Sequence, residues 1–216
     1  MTEQIWYKGN LHTHTTESDG DAHPEAVVEW YKQHDYDFLV LSDHNHLTIL
    51  EHEIEEGPLM VPGEEVSARL LGSQAWHGGE VGIHINGIGI SQVVEPVNAG
   101  EVVRVLQANI DSIIEAGGIA QINHPNASWA LDYKDIAQVR GASLLEVYNG
   151  GPANNNEGGP GKHSAEDMWD HLLSEGHVIF GVATDDSHHY SDFSTNMANP
   201  GRGWVVVKAS ELSKEA

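Results

Sequence analysis

The chain has 216 residues, 39% of them hydrophobic, which is enough to bury a globular core, and its 33 acidic against 10 basic residues give a formal charge of −23. It has no cysteine, which excludes disulfides, thiolate metal sites and cysteine nucleophiles. A field of that sign repels phosphate backbones and anionic bilayers, and no apolar run is long enough to span a membrane, so neither nucleic acid nor membrane is an expected partner.

The N-terminal residues 1–10 lack a basic patch followed by an apolar run, which predicts a cytoplasmic protein. Residues 6–12 predict a first strand, followed by a turn at Ser18-Asp19-Gly20-Asp21. Pro24 suits the first turn of a helix that runs to about His34. Residues 38–42 form a continuous apolar run of buried-strand length. The acidic stretch 51–56 predicts an exposed helical face. A short strand is expected at 59–66, and a strand or hairpin at 81–90, where the pattern alternates and is rich in glycine. Residues 100–116 predict a longer helix stopped by Gly117-Gly118, with strands at 119–122 and 144–147 beyond it. The Gly-, Asn- and Pro-rich segment 149–161 reads as a mobile loop. Ser164 caps a helix through Leu173 with Glu166 and Asp167 in its first turn, and the last strands are expected at 178–182 and 204–207. Alternating strands and helices predict an α/β fold with a parallel sheet, closed into a barrel or open and doubly wound, in a single domain over 1–216.

Histidine is unusually frequent, at 15 residues, and its placement carries the chemistry. Nearly every predicted strand ends in residue types that bind metals. The first ends in His12-Thr13-His14, where a spacing of two points both imidazoles to one side, and Asp19 follows in the turn. The second ends in Ser42-Asp43-His44-Asn45 and the third in Glu64-Glu65. His84 lies in the 81–90 segment and His124 follows the strand at 119–122. Thr184-Asp185-Asp186-Ser187-His188-His189 follows the strand at 178–182, with Asp186 and His188 again two apart. A single histidine of this kind is ordinarily a hydrogen-bonded core or surface residue. A series of them at successive strand ends of a parallel barrel would open onto one mouth, where the active sites of such barrels lie. A mixed nitrogen and oxygen donor set suits Zn, Mn or Fe.

Asn10 to Gly20 and Leu41-Ser42-Asp43-His44-Asn45 resemble the opening motifs of the PHP (polymerase and histidinol phosphatase) family, and Gly63-Glu64-Glu65-Val66-Ser67, Asn123-His124-Pro125 and Asp186-Ser187-His188 resemble its later ones. Together they span about residues 8–190. Within the family, Glu146-Val147-Tyr148-Asn149 and Gly201-Arg202-Gly203-Trp204 are most similar to the carbaryl-hydrolase-like branch. The resemblance implies a distorted seven-stranded (β/α) barrel holding two or three divalent transition-metal ions. It assigns His12, His14, Glu65 and Asp186 to a first metal, Glu65 as a bridge with His84 and His124 to a second, and Asp19, His44 and His188 to a third. Glu64, Asp185 and His77 are the competitors for Glu65, Asp186 and His84.

These expectations describe a hydrolase in which a water bridging two dications loses its proton near neutral pH and attacks an ester, the cations neutralising charge on substrate oxygens. Glu65, Asp186 and His188 are the expected catalytic residues, with His188, His189 and Asp43 as candidates for assisting the leaving group. Arg202, one of four arginines, and Asn149 are candidates for substrate binding. A small-molecule phosphate mono- or diester is the expected substrate, with a carboxyl ester or carbamate as the alternative and a non-catalytic metal-binding module as a third possibility. Self-association into a homo-oligomer is open. Gly158-Gly159-Pro160-Gly161-Lys162-His163 is not a phosphate-binding loop, because it lacks the first glycine at the required offset and the Ser or Thr after the lysine. There is no Gly-x-Ser-x-Gly elbow and no dinucleotide fingerprint.

Overall fold

The computed structural model of the protein describes residues 4–50, 52, 55–70 and 81–213. In chain order these form β1 (Ile5–Asn10), α1 (Pro24–Gln33), β2 (Phe38–Leu39), β3 (Leu59–Met60), β4 (Gly63–Leu70), β5 (Val81–Ile88), α2 (Val102–Glu115), β6 (Ile119–Ile122), α3 (Tyr133–Ile136), β7 (Ala142–Asn149), α4 (Ala165–Ser174), β8 (Phe180–Thr184) and β9 (Val205–Ala209).

The strands make two sheets, one ordered β3-β2-β1-β9 and one ordered β4-β5-β6-β7-β8. β1, β2 and β3 run parallel, as do β6, β7 and β8. β9 is antiparallel to β1, and β5 is antiparallel to both of its neighbours. The mixed α/β character agrees with the sequence, but the seven-stranded barrel does not. No ladder among the described residues closes the sheets into a ring. Isolated bridges from Thr13 to Ser187 and from His44 to Glu65 join them instead, with Asp186 N donating to His12 O at 2.9 Å and Glu65 N to Ser42 O at 3.2 Å. The departure centres on β5, whose alternation marks a strand without marking its direction. An antiparallel neighbour needs no crossover helix, so this part of the chain does not follow the βαβ plan.

Residues 59–66, expected as one strand, are divided between the sheets. Pro62 stands at the break, where its missing N–H cannot serve a ladder. Of the expected acidic helical face, Glu51, Glu53 and Ile54 lie outside the described residues, while Glu55 and Glu56 form a turn. The segment 149–161 is tied down rather than loose: Asn156 Nδ2 donates to Asn149 O at 2.8 Å, and Asn126 Nδ2 donates to Asn155 O at 3.1 Å and to His163 O at 2.9 Å.

Apolar periodicity sets the packing. α1 starts with Pro24 and turns Val27, Val28 and Tyr31 inward onto Leu39 and Leu41. α2 buries Val105, Leu106, Ile110 and Ile113 against the five-stranded sheet. Asn109, buried on the same helix, fixes the segment before it by accepting from Val97 N at 2.8 Å and donating to Val97 O at 2.9 Å. α4 opens on the expected Ser164 cap, which Asp167 completes as a reciprocal capping box. Leu11, Phe38, Val40, Ile88 and Val182, drawn from both sheets, form a third apolar cluster between them. Gly9 makes room there, since a Cβ at that position would lie 2.2 Å from the Phe38 ring. No helix among the described residues is long and apolar enough to cross a membrane.

Candidate metal centre

The two sheets meet along the seam described above, and the expected ligands converge on it. His12 and His14 follow β1. Their Nε2 atoms lie 3.2 Å apart, and each stands 3.2 Å from Asp186 Oδ1. Glu65, the third residue of β4, sits among them: its Oε1 is 3.3 Å from His12 Nε2 and its Oε2 3.5 Å from His14 Nε2. His84 and His124 approach the same carboxylate from the other side, each with a ring nitrogen 3.2 Å from Oε1. His84 is delivered from the middle of the reversed strand β5, not from a strand end. Asp19 forms the outer group, with its Oδ1 3.2 Å from His188 Nε2 and its Oδ2 3.6 Å from His44 Nε2. All nine expected ligands are therefore brought together. They fall into four overlapping donor groups, each with ligand atoms within 4.8 Å of one another, and His14 belongs both to the inner group with His12 and Glu65 and to the outer one with Asp19.

The adjacent competitors point elsewhere. Glu64 is buried on the opposite face of β4, where its Oε1 accepts from Val94 N at 2.6 Å. Asp185 turns away from the cluster and accepts from Gly201 N, Arg202 N and Gly203 N at 2.6–2.9 Å and from Tyr31 Oη at 2.8 Å. His77 lies outside the described residues.

The donor set fits a divalent cation on three counts. Buried polar atoms ordinarily have hydrogen-bond partners, yet Glu65 Oε2 and His84 Nδ1 are buried without a well-aligned hydrogen bond, although His44 Nδ1 stands 2.8 Å from the first and Glu65 Oε1 3.2 Å from the second. His12 Nδ1 is engaged 2.6 Å from Glu146 Oε1, which turns its Nε2 into the cluster, 3.2 Å from His14 Nε2, where a cation would take both nitrogens. Three residues at the seam, Asn45, His124 and Asp186, hold left-handed backbone at φ of 50°, 23° and 48°, a strain that recurs where side chains must be aimed.

The electrostatics follow from packing carboxylates among imidazoles. Burial disfavours charge on His12, but Asp186, Glu146 and Glu65 outweigh it and raise the imidazole well above its ordinary range. Burial likewise opposes charge on Glu65 and Asp186, yet the neighbouring histidines, His84 and His12 for the first and His12 and His14 for the second, hold both well below the usual carboxylate range. For His14 burial prevails, with His188 adding to it, and its value falls to about 4.

Several functional positions differ from expectation. Asn149 is buried, and its Nδ2 donates to Glu146 Oε2 at 2.8 Å and to Asp186 Oδ2 at 3.2 Å, so it positions two carboxylates. Arg202 braces loops, donating to Gly150 O, Ser194 O and Asn199 Oδ1 at 3.2, 3.3 and 2.6 Å. Asp43 is enclosed by donors from Thr15 N, Thr15 Oγ1, Ser18 Oγ and Thr48 Oγ1 at 2.5–2.8 Å, so it shapes the turn before Asp19 instead of reaching a leaving group. Two contributors escaped sequence reasoning. Glu146 holds His12 through Oε1 and the backbone N of His124 through Oε2 at 2.7 Å. Asn123 donates to Glu65 Oε1 and Asn86 Oδ1, both at 2.8 Å. A signal existed for each, a charge inside an apolar strand and an amide just before a histidine, but neither residue type declares which partner it will meet.

No protein-family model and no curated protein sequence matches the chain. Solved structures do. A two-domain protein of Bacteroides vulgatus containing a predicted PHP-like metal-dependent phosphoesterase aligns with a TM-score of 0.64 and 18% identity, over 98% of this chain and 61% of its own. The chain thus spans about three-fifths of that protein. An amidohydrolase of Chromobacterium violaceum, solved with sulfate and without metal, aligns with a TM-score of 0.56 and 18% identity over 85% of this chain and 88% of its own. A predicted metal-dependent phosphoesterase of Bifidobacterium adolescentis gives 0.60 and 15% over 90% and 91%. At these identities the likeness is one of fold: the chain shares the architecture of PHP-like metal-dependent phosphoesterases.

Proposed function

We propose that the protein is a metal-dependent hydrolase of small phosphate mono- or diesters, built as one domain around two or three divalent transition-metal ions, Zn, Mn or Fe. The observation that carries this is the convergence of nine side chains on one seam around Glu65, whose two carboxylate oxygens lie within 3.5 Å of five imidazoles. His12, His14, Glu65 and Asp186 would hold one ion, Glu65 with His84 and His124 a second, and Asp19, His44 and His188 a third. Bound there, the cations supply an activated water and neutralise charge on substrate oxygens.

The chain's own contribution is position. Glu146 fixes His12, Asn149 fixes Asp186 and Asn123 fixes Glu65, so the donors need little reorganisation. His188 directs Nδ1 at Asp186 O, 2.8 Å away, which leaves Nε2 facing Asp19. The fold neighbours named for phosphoester chemistry support the ester class, and the net charge of −23 favours a small substrate over a nucleic acid.

A second reading, a carboxyl-ester or carbamate hydrolase of the carbaryl-hydrolase-like branch, draws on Glu146 and Asn149 standing against the cluster. Metal analysis coupled to a panel of phosphate, carboxyl and carbamate esters separates the two. Turnover of carbon esters alone would move the assignment to the second reading. Protein that carries no metal, or activity indifferent to chelation and to His12→Ala, would defeat both.

A further inference from the structure

Three consecutive asparagines, Asn154-Asn155-Asn156, follow β7 beside the metal centre, and each has a different task. Asn156 clamps the loop to the end of β7: its Oδ1 accepts from Asn149 N at 3.1 Å and its Nδ2 donates to Asn149 O at 2.8 Å. Asn155 clamps it to the segment that follows His124, since Asn155 Nδ2 donates to Asn126 O and Asn126 Nδ2 donates to Asn155 O, both at 3.1 Å. Asn154 is half-buried and points at the cluster, where its Nδ2 donates to Asn149 Oδ1 and, at 3.4 Å, to Asp186 Oδ2. Gly151 permits that approach, because a Cβ there would lie 2.5 Å from Asn154 Nδ2.

The Asn154 carboxamide can face only one way. Asn149 meets two carboxylates, Glu146 and Asp186, with one end, so that end is its Nδ2 and both of its hydrogens are spent. Its Oδ1 therefore faces Gly151 N, at 2.8 Å, and Asn154. Asn154 in turn stands against two acceptors, Asn149 Oδ1 and Asp186 Oδ2, so it presents Nδ2 to them and those two bonds use both of its N–H groups. What remains is Oδ1, which has no hydrogen bond among the described residues and is open to solvent. The two ends of a carboxamide lie about 2.3 Å apart, so this oxygen is within about 6 Å of Asp186 Oδ2. It is a fixed, unspent acceptor at the edge of the metal centre.

We propose that Asn154 Oδ1 contacts the substrate and selects phosphoesters that carry a hydroxyl or N–H donor close to the scissile phosphate, as a polyol phosphate does. The inference rests on the phosphoester reading and narrows it to esters with such a donor. A plain alkyl phosphate would displace water from this oxygen without replacing its hydrogen bond, and an acceptor left unpaired in that way costs binding. The clamps at Asn155 and Asn156 hold the oxygen in place beforehand, so little ordering is needed when the donor arrives.

Three non-hydrolysable probes test it: 2-hydroxyethylphosphonate can donate, 2-methoxyethylphosphonate keeps the oxygen without the donor, and propylphosphonate has neither. Calorimetric titration into metal-loaded protein is expected to show the hydroxyl probe binding about fivefold tighter than the other two, the worth of a neutral hydrogen bond. Asn154→Ala should bring all three within about twofold of one another, a ratio that the loss of a merely bracing side chain would not move. Equal affinities in the wild type, a methoxy probe that matches the hydroxyl probe through direct metal contact, or a preference that survives Asn154→Ala would overturn the assignment while leaving the phosphoester reading intact. If no phosphonate binds in a metal-dependent way, the phosphoester reading fails, and the selectivity assigned to Asn154 fails with it.

Discussion

Glu146 Oε1 stands 2.6 Å from His12 Nδ1, and both side chains are fully buried. A carboxylate in that position fixes the imidazole's orientation and tautomer and makes its far nitrogen a better ligand. Glu146→Gln keeps the shape and an acceptor but removes the charge. It is expected to weaken metal affinity by about 10–100-fold, read by competition with a chromogenic chelator. Unchanged affinity would reduce Glu146 to a packing role.

Metal uptake should release protons. In the metal-free protein, burial opposes charge on His44, but the Asp19 and Glu65 carboxylates that accept from its ring hold it up at about 10, so it is protonated at neutral pH. A dication binding there must displace that proton, so affinity rises between pH 6 and 8, and adding metal to chelated protein acidifies a weakly buffered solution. Titration without proton release would remove His44 from the ligand set. Saturating metal should also stabilise the fold, by about 2.7 kcal/mol at a hundred times the dissociation constant.

Glu64 predicts a pH-dependent gain in stability. Burial, aided by Glu95 and opposed by the Val94 N–H, pushes its carboxyl from 4.5 up to about 7. A carboxyl raised on folding favours the native state below its unfolded value and loses that contribution as pH rises through the folded value. For Glu64 the loss falls between about 4.5 and 7. Glu64→Gln should therefore raise the melting temperature of chelated protein at pH 8, by roughly 5 °C, and by much less at pH 5. An equal shift at both pH values would contradict a buried, ionising Glu64.

Gly82→Ala places a methyl group 2.7 Å from His84 Nε2, and the ring must yield. Fewer metal ions per chain are expected by elemental analysis, while the chelated protein keeps its stability within about 0.5 kcal/mol because the position is exposed. Metal content equal to the wild type would show that His84 tolerates the displacement or is no ligand.

Much of the centre was legible because its donors follow strands in chain order. His12 and His14 share a side through their spacing of two, and Asp186 and His188 extend the same logic to the end of β8. Direction and partnership were less legible. Nothing in the alternation of Val81–Ile88 distinguishes a strand running up from one running down, so the reversal of β5 was not legible, and the pattern left a closed barrel and an open sheet equally available. Glu146, Asn149 and Asp43 have side chains that serve equally well as ligand, substrate contact or brace. Their roles depend on contacts such as Asn149 to Asp186, 37 residues away in the chain, which no local pattern encodes. Arg202 was drawn toward a substrate by its charge and is held instead by three neutral oxygens.

The seam between the two sheets has a mechanical consequence. Among the described residues, isolated bridges and not a continuous ladder join the backbones across it, while His12, His14 and His44 approach from the four-stranded side and Glu65, His84, His124 and Asp186 from the five-stranded side. An ion shared among these groups is then a crosslink as well as a reagent, pinning together two halves that the backbone leaves partly unfastened. Amide exchange at the ends of β1 and β4 should slow together when metal is added, and the catalytic centre would double as the clasp of the fold.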